Sequence, residues 1–262
     1  MYWNKQMTYQ KVLYKINPAR LLLKFLLFSF YAQKLAETYL FKKKLYRELS
    51  VLKKIGIKIN VVYDIGARYG RWSKGVSRIF PHAKFYLFEA SDKCQSTLSA
   101  QSFPFFIEAL SSKVKNVTFY EKNTPGDSYM KDKSIIYKNS AGITKKTSTI
   151  ISLIEQKKLP VPDFMKIDTQ GSEIDILKGC GKYLKKVKLL YLECPIVNIN
   201  EGAPDISEYL TFTKKAGFIP LDICEKHIHN NILLQIDILF INKSEVFNLG
   251  LINKKHWSFN YL

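Results

Sequence analysis

The sequence predicts an α/β fold: a Rossmann-like, doubly wound sheet of about seven strands with an antiparallel last strand, preceded by an N-terminal helical extension. From residue 60 onward, apolar strand-like runs alternate with helical patterns, which is typical of a parallel sheet with helices on both faces. The final two runs, 218–223 and 233–241, are separated by a short polar segment at 224–231, which favours an antiparallel hairpin at the sheet edge. With 262 residues, 47% of them hydrophobic, the chain can form a core of this size.

Each predicted element follows from the spacing of its apolar residues. Predicted strands lie at 60–65, 84–90, 103–110, 116–122, 163–168, 187–194, 218–223 and 233–241. Helical patterns lie near 72–80, from 91 or 92 onward, after the strand end in 147–158, from 172 to about 184, and at 205–216. The polar segment 123–145 has no clear period, and its length is typical of a lid or binding loop.

Charge and composition divide the chain into three parts. Residues 1–58 form a basic helical extension, residues 59–243 the main domain, and residues 244–262 a tail that docks on it. The net charge is +19, and the first 58 residues hold thirteen Lys or Arg against two acidic residues. This concentration favours an anionic partner, either a membrane surface or nucleic acid, with general solubility as the alternative.

The N-terminal extension contains the most apolar run of the chain, residues 21–32. Its twelve residues are too few for a transmembrane helix, which needs about twenty. Its apolar side either packs on the main domain or lies in a membrane interface. We therefore expect a cytoplasmic protein, with peripheral contact between residues 1–58 and the anionic inner face of the membrane as a further hypothesis.

The cysteines support a reducing compartment. The four are scattered, without a C-x-x-C pair or the spacing of zinc ligands. A disulfide framework and a structural zinc site are therefore not expected.

The segment "VVYDIGARYGRWS" at 61–73 joins the first predicted strand to a helix. In a doubly wound sheet, ligands bind at the carboxyl ends of the strands, so this turn is the expected site. A P-loop is excluded because no G-K-[ST] follows. Asp64 replaces the first glycine of the dinucleotide fingerprint, and a carboxylate facing phosphates costs several kcal/mol. A ligand that lacks phosphates and carries positive charge is favoured, and S-adenosylmethionine meets both conditions. Gly66 and Gly70 would let the backbone approach it closely.

Glu89 ends the second predicted strand, 25 residues after Asp64. This is close to the spacing of about 20 residues at which an acidic residue binds ribose hydroxyls. The alternative is that both carboxylates cap the following helices. Their joint position at the ends of the first two strands favours ligand binding.

The sequence resembles the FkbM-type family of class I S-adenosylmethionine-dependent methyltransferases over about residues 59–243. The resemblance rests on "VVYDIGARYGRWS", "FYLFEAS", "DFMKIDTQGSEIDILKG", "LLYLEC", "AGF" and "LLQIDILFI". It implies O-methylation of a hydroxyl on a sugar, glycolipid or other natural product, on a seven-stranded sheet with a reversed last strand. It also implies that the cofactor is held by Asp64, Gly66, Ala67, Gly70, Glu89, Ala109, Leu110 and Asp168.

Candidate catalytic residues follow from the ends of the later strands. The fourth and fifth strands of the predicted sheet end at Asp168 and Glu193; either could be the base, or the two could hold Mg²⁺. His227, in the predicted loop 224–231, could be a base near neutral pH or an ordinary surface histidine. Lys166 shares a strand face with Asp168 and is expected to form an internal ion pair. The loop 123–145 is expected to border the acceptor pocket.

Two competing functions are weaker. A nucleic-acid methyltransferase would be expected to carry [DNS]-P-P-[YFW] where this chain has D-T-Q-G-S, so we expect a glycan or glycolipid acceptor and no specific nucleic acid. A basic patch alone would bind nucleic acid only nonspecifically. A non-catalytic, membrane-associated scaffold with a relict cofactor site would not need the intact set of glycines and carboxylates. The oligomeric state does not follow from the sequence.

Overall fold

The computed structural model describes residues 26, 28–29, 44–121, 127–133 and 142–251. The strands of these residues form two sheets, one of seven strands and one of three. The strands are β1 (Val61–Ile65), β2 (Lys84–Glu89), β3 (Phe105–Ile107), β4 (Ala109–Leu110), β5 (Asn116–Tyr120), β6 (Gly142–Ser148), β7 (Phe164–Ile167), β8 (Leu189–Pro195), β9 (Phe218–His229) and β10 (Ile232–Asn242).

The helices lie between the strands in the predicted order. They comprise residues 44–54, Arg71–Ser77, Gln95–Ser99, Ile150–Glu155, Glu173–Lys178, Ile206–Lys215 and Lys243–Asn248, with 3₁₀ turns at Asp92–Cys94 and Gly181–Lys186. The predicted helix at 205–216 begins at a capping box, because Asp205 accepts a hydrogen bond from the backbone of Glu208 and Glu208 accepts one in return. The helix predicted at 172–184 ends earlier, at Lys178, and the chain continues after Gly179 and Cys180 as the 3₁₀ turn Gly181–Lys186.

The large sheet confirms the predicted fold class. Its strand order is β3-β2-β1-β7-β8-β10-β9. All neighbouring pairs are parallel except those of β10, which is antiparallel to both β8 and β9. The chain first builds outward from β1 to β3 and then returns to the other side of β1, so the topological switch point lies between β1 and β7. Ligands of doubly wound sheets bind beside such a point.

The predicted loop at 224–231 is wrong. β9 continues to His229 and β10 begins at Ile232, so the turn consists of Asn230 and Asn231 alone. Both residues have positive φ (48° and 63°), as a two-residue hairpin turn requires, and asparagine tolerates this conformation. The segment appears polar because β9 is the edge strand and exposes alternate side chains to solvent.

The strand predicted at 103–110 is divided between the two sheets. β3 pairs with β2 in the large sheet, whereas β4 pairs with β6 in the small one. β6 also occupies the end of the segment predicted as a loop at 123–145. The small sheet has the order β4-β6-β5, and its strand β4 lies where the third strand of the large sheet ends.

The helix at residues 44–54 belongs to the core of the main unit. Leu45, Leu49 and Leu52 are buried in one hydrophobic cluster with side chains of the large sheet. The predicted boundary at 58/59 therefore falls after this helix. At the other end, Val246 is buried within the helix Lys243–Asn248, at the start of the predicted tail. Residues 252–262 lie outside the described part of the chain.

The predicted membrane contact concerns residues that are mostly outside the described part of the chain, including nearly all of 21–32. It stays a prediction. Among the residues that the structure does describe, no helix has the length and apolar character needed to cross a membrane.

We expect the Leu49→Ala substitution to lower the free energy of unfolding by about 2–5 kcal/mol, because it removes a fully buried side chain from the core. Val51→Ala is the matched control on the same helix, where the side chain is 46% exposed, and its effect should stay within about 0.5 kcal/mol. Urea unfolding followed by circular dichroism measures both. Equal effects would show that this helix is not part of the core.

Candidate active site

A buried lysine links the ends of β1 and β7. Lys166 is 5% exposed, and its Nζ lies 3.4 Å from Oδ1 of Asp64 and 3.2 Å from Oδ2 of Asp168. The same ammonium group donates a hydrogen bond of 2.8 Å to the carbonyl oxygen of Gly66. The predicted ion pair between Lys166 and Asp168 is confirmed, and it lies at the topological switch point.

The groups of this ion pair are held in their charged forms. Burial alone would lower the pKa of Lys166, but the charges of Asp168 and Asp64 outweigh it and raise the pKa above its ordinary value. Burial would raise the pKa of Asp168, but Lys166 outweighs it and lowers that pKa. A buried ammonium group between two carboxylates therefore stays protonated at neutral pH.

Asp64 is fully buried beneath the glycine turn. Ser73, from the following helix, donates a hydrogen bond of 2.6 Å to its Oδ2. Its Oδ1 accepts no hydrogen bond from any described residue, although it faces Lys166 at 3.4 Å. Asp64 does not line the neighbouring cleft, so its predicted contact with a cofactor stays a prediction.

The two glycines of the turn are required by the fold. Gly66 has φ +72°, and a Cβ there would overlap the backbone carbonyl of Asp168, so a side chain would force β1 and β7 apart. Gly70 has φ +68° and precedes the helix Arg71–Ser77. Protein packing and backbone turning explain both residues, and their predicted approach to a cofactor stays a prediction.

A cleft of about 300 Å³ opens at the carboxyl ends of β1 and β2. This volume is within the range of about 300–1,000 Å³ that is typical of small-molecule sites. Six of the predicted cofactor-binding residues line it: Gly66, Ala67, Glu89, Ala109, Leu110 and Asp168. Two others, Asp64 and Gly70, lie outside its lining. The described part of the segment 123–145 also reaches the cleft, through Asp127, Ser128 and Tyr129.

Glu89 is fixed at the floor of this cleft by backbone amides. Its Oε2 accepts a hydrogen bond of 2.7 Å from the N–H of Arg68, and its Oε1 accepts one of 2.9 Å from the N–H of Ser91. Burial raises its pKa. Because a carboxylate oxygen can accept two hydrogen bonds, both oxygens keep the capacity to bind ligand hydroxyls.

The mouth of the cleft carries aromatic and cationic side chains. The guanidinium carbon of Arg68 lies 4.8 Å from the ring centre of Tyr69, and that of Arg71 lies 5.6 Å from it. Trp72 also lines the cleft, and its indole N–H is buried without an acceptor among the described residues. Arg68 and Tyr69 fill the variable positions of the glycine motif, whereas Arg71 and Trp72 follow its last glycine.

A second group of titratable side chains continues from the cleft across the sheet. Glu193 on β8 pairs in register with Asp237 on β10. His227 on β9 places its Nε2 3.1 Å from Oδ1 of Asp237. Potential ligand atoms of Glu193, His227 and Asp237 all lie within 4.8 Å of one another. His227 is thus a strand residue with a carboxylate partner, and the interpretation as an ordinary loop histidine is wrong. Its role as a base stays a prediction.

Gln170 connects the two groups. Its Nε2 donates a hydrogen bond of 3.2 Å to Oδ1 of Asp168 and another to Oε2 of Glu193. The loop that carries it is ordered by Glu173, a fully buried carboxylate that accepts hydrogen bonds from the N–H groups of Thr169 and Gly171. Glu173 therefore supports the site structurally.

Sequence reasoning missed Gln170 and Asp237. For Asp237 the sequence does contain a signal, since it is the single charged residue in the apolar run 232–241. Gln170 lies inside a recognised motif, but nothing in its residue type shows that φ is +58° or that the amide bridges two strands.

Two of the three side chains of this second group have shifted pKa values. Burial, followed by the charges of Asp168 and Asp237, raises the pKa of Glu193 well above its ordinary value. The hydrogen bond with Asp237 raises the pKa of His227 against the opposing effect of burial. The arrangement offers several neighbouring groups between which a proton can be shared.

A switch-point cleft, an acidic residue at the end of β2 and a reversed strand near the sheet edge together define a class I methyltransferase. The sequence matches the methyltransferase FkbM domain over residues 64–220. The chain therefore belongs to the FkbM methyltransferase family and is an S-adenosylmethionine-dependent methyltransferase. A comparison with curated proteins gave no match.

Solved structures with a similar fold include three methyltransferases. Magnesium protoporphyrin IX methyltransferase from Synechocystis, with bound SAM, has 9% identity and a TM-score of 0.43, covering 77% of this chain and 79% of that chain. Precorrin-6y C5,15-methyltransferase from Geobacter metallireducens has 12% identity and a TM-score of 0.41, covering 75% and 87%. A putative RNA methyltransferase from Pyrococcus horikoshii has 15% identity and a TM-score of 0.41, covering 77% and 83%.

The cleft fits adenosylmethionine. Glu89 offers carboxylate oxygens for the ribose hydroxyls, and Leu110, Phe119 and Ile176 provide apolar wall for an adenine ring. Trp72 is also in the lining, and its indole N–H is an unsatisfied buried donor among the described residues. These contacts are derived from the lining of the cleft, and the individual cofactor-binding residues stay predictions.

The Lys166→Met substitution should lower the free energy of unfolding by about 3–5 kcal/mol, because it leaves the Asp64 carboxylate buried without a counterion. The Asp64→Asn/Lys166→Met double variant should recover part of this loss, because it removes the uncompensated charge. Lys182→Met, which breaks an exposed pair with Glu155, should change the free energy by no more than about 1 kcal/mol. Chemical unfolding of the variants tests this, and a small effect of Lys166→Met would contradict it.

Replacing Glu89 with glutamine should weaken adenosylhomocysteine binding about 10- to 100-fold, as expected when a charged hydrogen-bond acceptor worth about 1.5–3 kcal/mol is lost. Glu155→Gln changes a carboxylate on the helix Ile150–Glu155 that does not line the cleft, and it should leave the affinity unchanged. Isothermal titration calorimetry measures the adenosylhomocysteine affinity of the wild type, Glu89→Gln and Glu155→Gln. Unchanged affinity in correctly folded Glu89→Gln would show that this carboxylate does not bind the ribose.

Proposed function

We propose that this methyltransferase methylates a hydroxyl oxygen of a carbohydrate-containing acceptor, such as a sugar, a glycolipid or a glycan precursor. The observation that carries the proposal is the row of proton-accepting side chains beside the cofactor cleft, formed by Asp168, Glu193, Asp237 and His227. All four lie at the end of the sheet where β7, β8 and β9 reach their carboxyl ends.

A hydroxyl acceptor requires such a row because it is a weak nucleophile that must lose its proton during the reaction. Bound adenosylmethionine supplies a methyl group activated by a sulfonium. The protein has to place the acceptor oxygen and provide a destination for its proton. Asp168 lines the cleft, and Gln170 connects it to Glu193, so the row extends from the cofactor side to the acceptor side.

Carbohydrate is favoured by the side chains around Glu193. A cavity of about 10 Å³ beside Glu193, enough for one water molecule, is lined by three amide side chains, those of Asn198, Asn200 and Gln235. Amides and carboxylates present donors and acceptors that can pair with neighbouring hydroxyls of a sugar ring. Oδ1 of Asn200 is buried without a donor among the described residues, so the lining of this cavity contains an unsatisfied acceptor. The family resemblance, which implies sugar and natural-product hydroxyls, supports the same acceptor class.

The segment 127–129 is suited to cover the acceptor. Ser128 donates hydrogen bonds of 3.1 Å to the carbonyl oxygens of Thr169 and Gln170, which attach this segment to the loop that carries Gln170. The hydroxyl of Tyr129 donates to Asp175 at 2.9 Å. The segment therefore closes one side of the cleft.

The test is transfer of a radiolabelled methyl group to a panel of monosaccharides, glycolipids and nucleic acids. Label is expected in a carbohydrate hydroxyl, and the Glu193→Gln variant should lower kcat about 10²- to 10⁴-fold, since it removes a proton-accepting group. Its affinity for adenosylhomocysteine should stay the same, because Glu193 does not line the cofactor cleft.

Glu201→Gln is the control, an exposed carboxylate on the chain segment after β8 that should keep full activity. Label found only in nitrogen or in nucleic acid would overturn the proposal. Full activity of Glu193→Gln would show that the row does not take part in the reaction.

A further inference from the structure

We propose that Glu193, His227 and Asp237 form a binding site for a divalent transition-metal ion, with Mn²⁺ as the best match. The ion then coordinates the acceptor hydroxyl. That second role rests on the proposed O-methylation, whereas the binding site itself does not.

The three side chains lie close enough together to be ligands of one ion after a change in their rotamers. The three side chains project from adjacent strands β8, β10 and β9, and their ligand atoms lie within 4.8 Å of one another. Ligands about 2.1 Å from one ion are at most about 4.2 Å apart. The longest of these separations must therefore shorten by at least about 0.6 Å before all three side chains bind one ion, and side-chain rotation can supply that change.

Both carboxylates are already oriented by neighbouring donors. The hydroxyl of Tyr191 donates a hydrogen bond of 2.8 Å to Oδ2 of Asp237, which leaves Oδ1 on the side of His227. Gln170 donates to Oε2 of Glu193. Hydrogen bonds of this kind fix the orientation of ligand carboxylates in metal sites, and their loss costs about 10- to 100-fold in metal affinity.

The local charge favours a cation. Among the described residues, no lysine or arginine forms an ion pair with Glu193 or Asp237, because Lys166 is engaged by Asp64 and Asp168. When the two carboxylates are ionised and the imidazole is neutral, as metal coordination requires, the three groups carry two negative charges that a divalent ion balances. The side chain of His227 is 36% exposed, which gives the ion a route from solvent.

The ligand types select the metal. One imidazole nitrogen and two carboxylate oxygens form a mixed set, and imidazole suits a first-row transition metal better than Mg²⁺. The site shares Glu193 with the Mg²⁺ site predicted from the sequence, but it uses His227 and Asp237 where that prediction used Asp168. Three protein ligands leave coordination positions open, and a hydroxyl bound there becomes more acidic.

The test uses the full chain, stripped with EDTA and dialysed, without cofactor or acceptor. Titration with Mn²⁺, followed by the loss of the free-ion signal in electron paramagnetic resonance, should show one ion bound per chain. Asp237→Asn and His227→Gln should each weaken binding at least about tenfold. His229→Gln is the matched control, an exposed histidine on the same strand, and should bind as the wild type does.

Circular dichroism of each variant establishes that it is folded. Absence of Mn²⁺ binding by the folded wild type overturns the proposal, as does binding that persists in both folded variants. If Mn²⁺ binds and no carbohydrate is methylated, the metal site stands and the proposed function fails. If carbohydrate is methylated with EDTA present and no Mn²⁺ binds, the metal proposal fails and the proposed function stands.

Discussion

The site depends on one buried cation, the ammonium group of Lys166. It neutralises Asp64, which is fully buried at the end of β1, and it holds Asp168 at the end of β7. Its third contact, to the carbonyl oxygen of Gly66, fixes the turn against the neighbouring strand. Because two carboxylates in a low-dielectric interior repel each other strongly, the two strand ends can approach only with this cation between them. Gly66, Lys166 and Asp168, which this approach brings together, line the cleft.

The cleft and the cavity beside Glu193 are joined by one short loop. Asp168 lines the cleft, Glu193 faces the neighbouring cavity, and the amide of Gln170 bonds to both. The buried carboxylate of Glu173 orders this loop by accepting its backbone N–H groups. A displacement of the loop would therefore change both halves of the site at once. This explains why the motif D-T-Q-G-S-E combines groups with chemical and purely structural roles.

Much of the fold could be predicted from the sequence because it rests on local patterns. The alternation of apolar runs predicts the strands. Asp168 and Glu89 lie at strand ends, which predicts their place in the binding site, and both line the cleft. What could not be predicted depends on pairing between distant segments. Asp237 meets Glu193 only through strand register, and the edge position of β9 made its alternation look like a polar loop. The burial of Asp64 beneath the turn likewise depends on Lys166 and Ser73, which no spacing rule connects to it.

The hairpin that ends the sheet has a consequence for the order of assembly during folding. His227 and Asp237 are separated by ten residues, so the chain between them closes a short loop at small entropic cost. Hairpins of this kind form in about 1–10 μs, well before long-range strand pairing. Glu193 joins them only when β10 pairs with β8, which is separated from it along the chain by the helix Ile206–Lys215 and by β9. The imidazole of His227 and the carboxylate of Asp237 can thus meet in the early hairpin. The group of three is complete only after β10 has paired with β8.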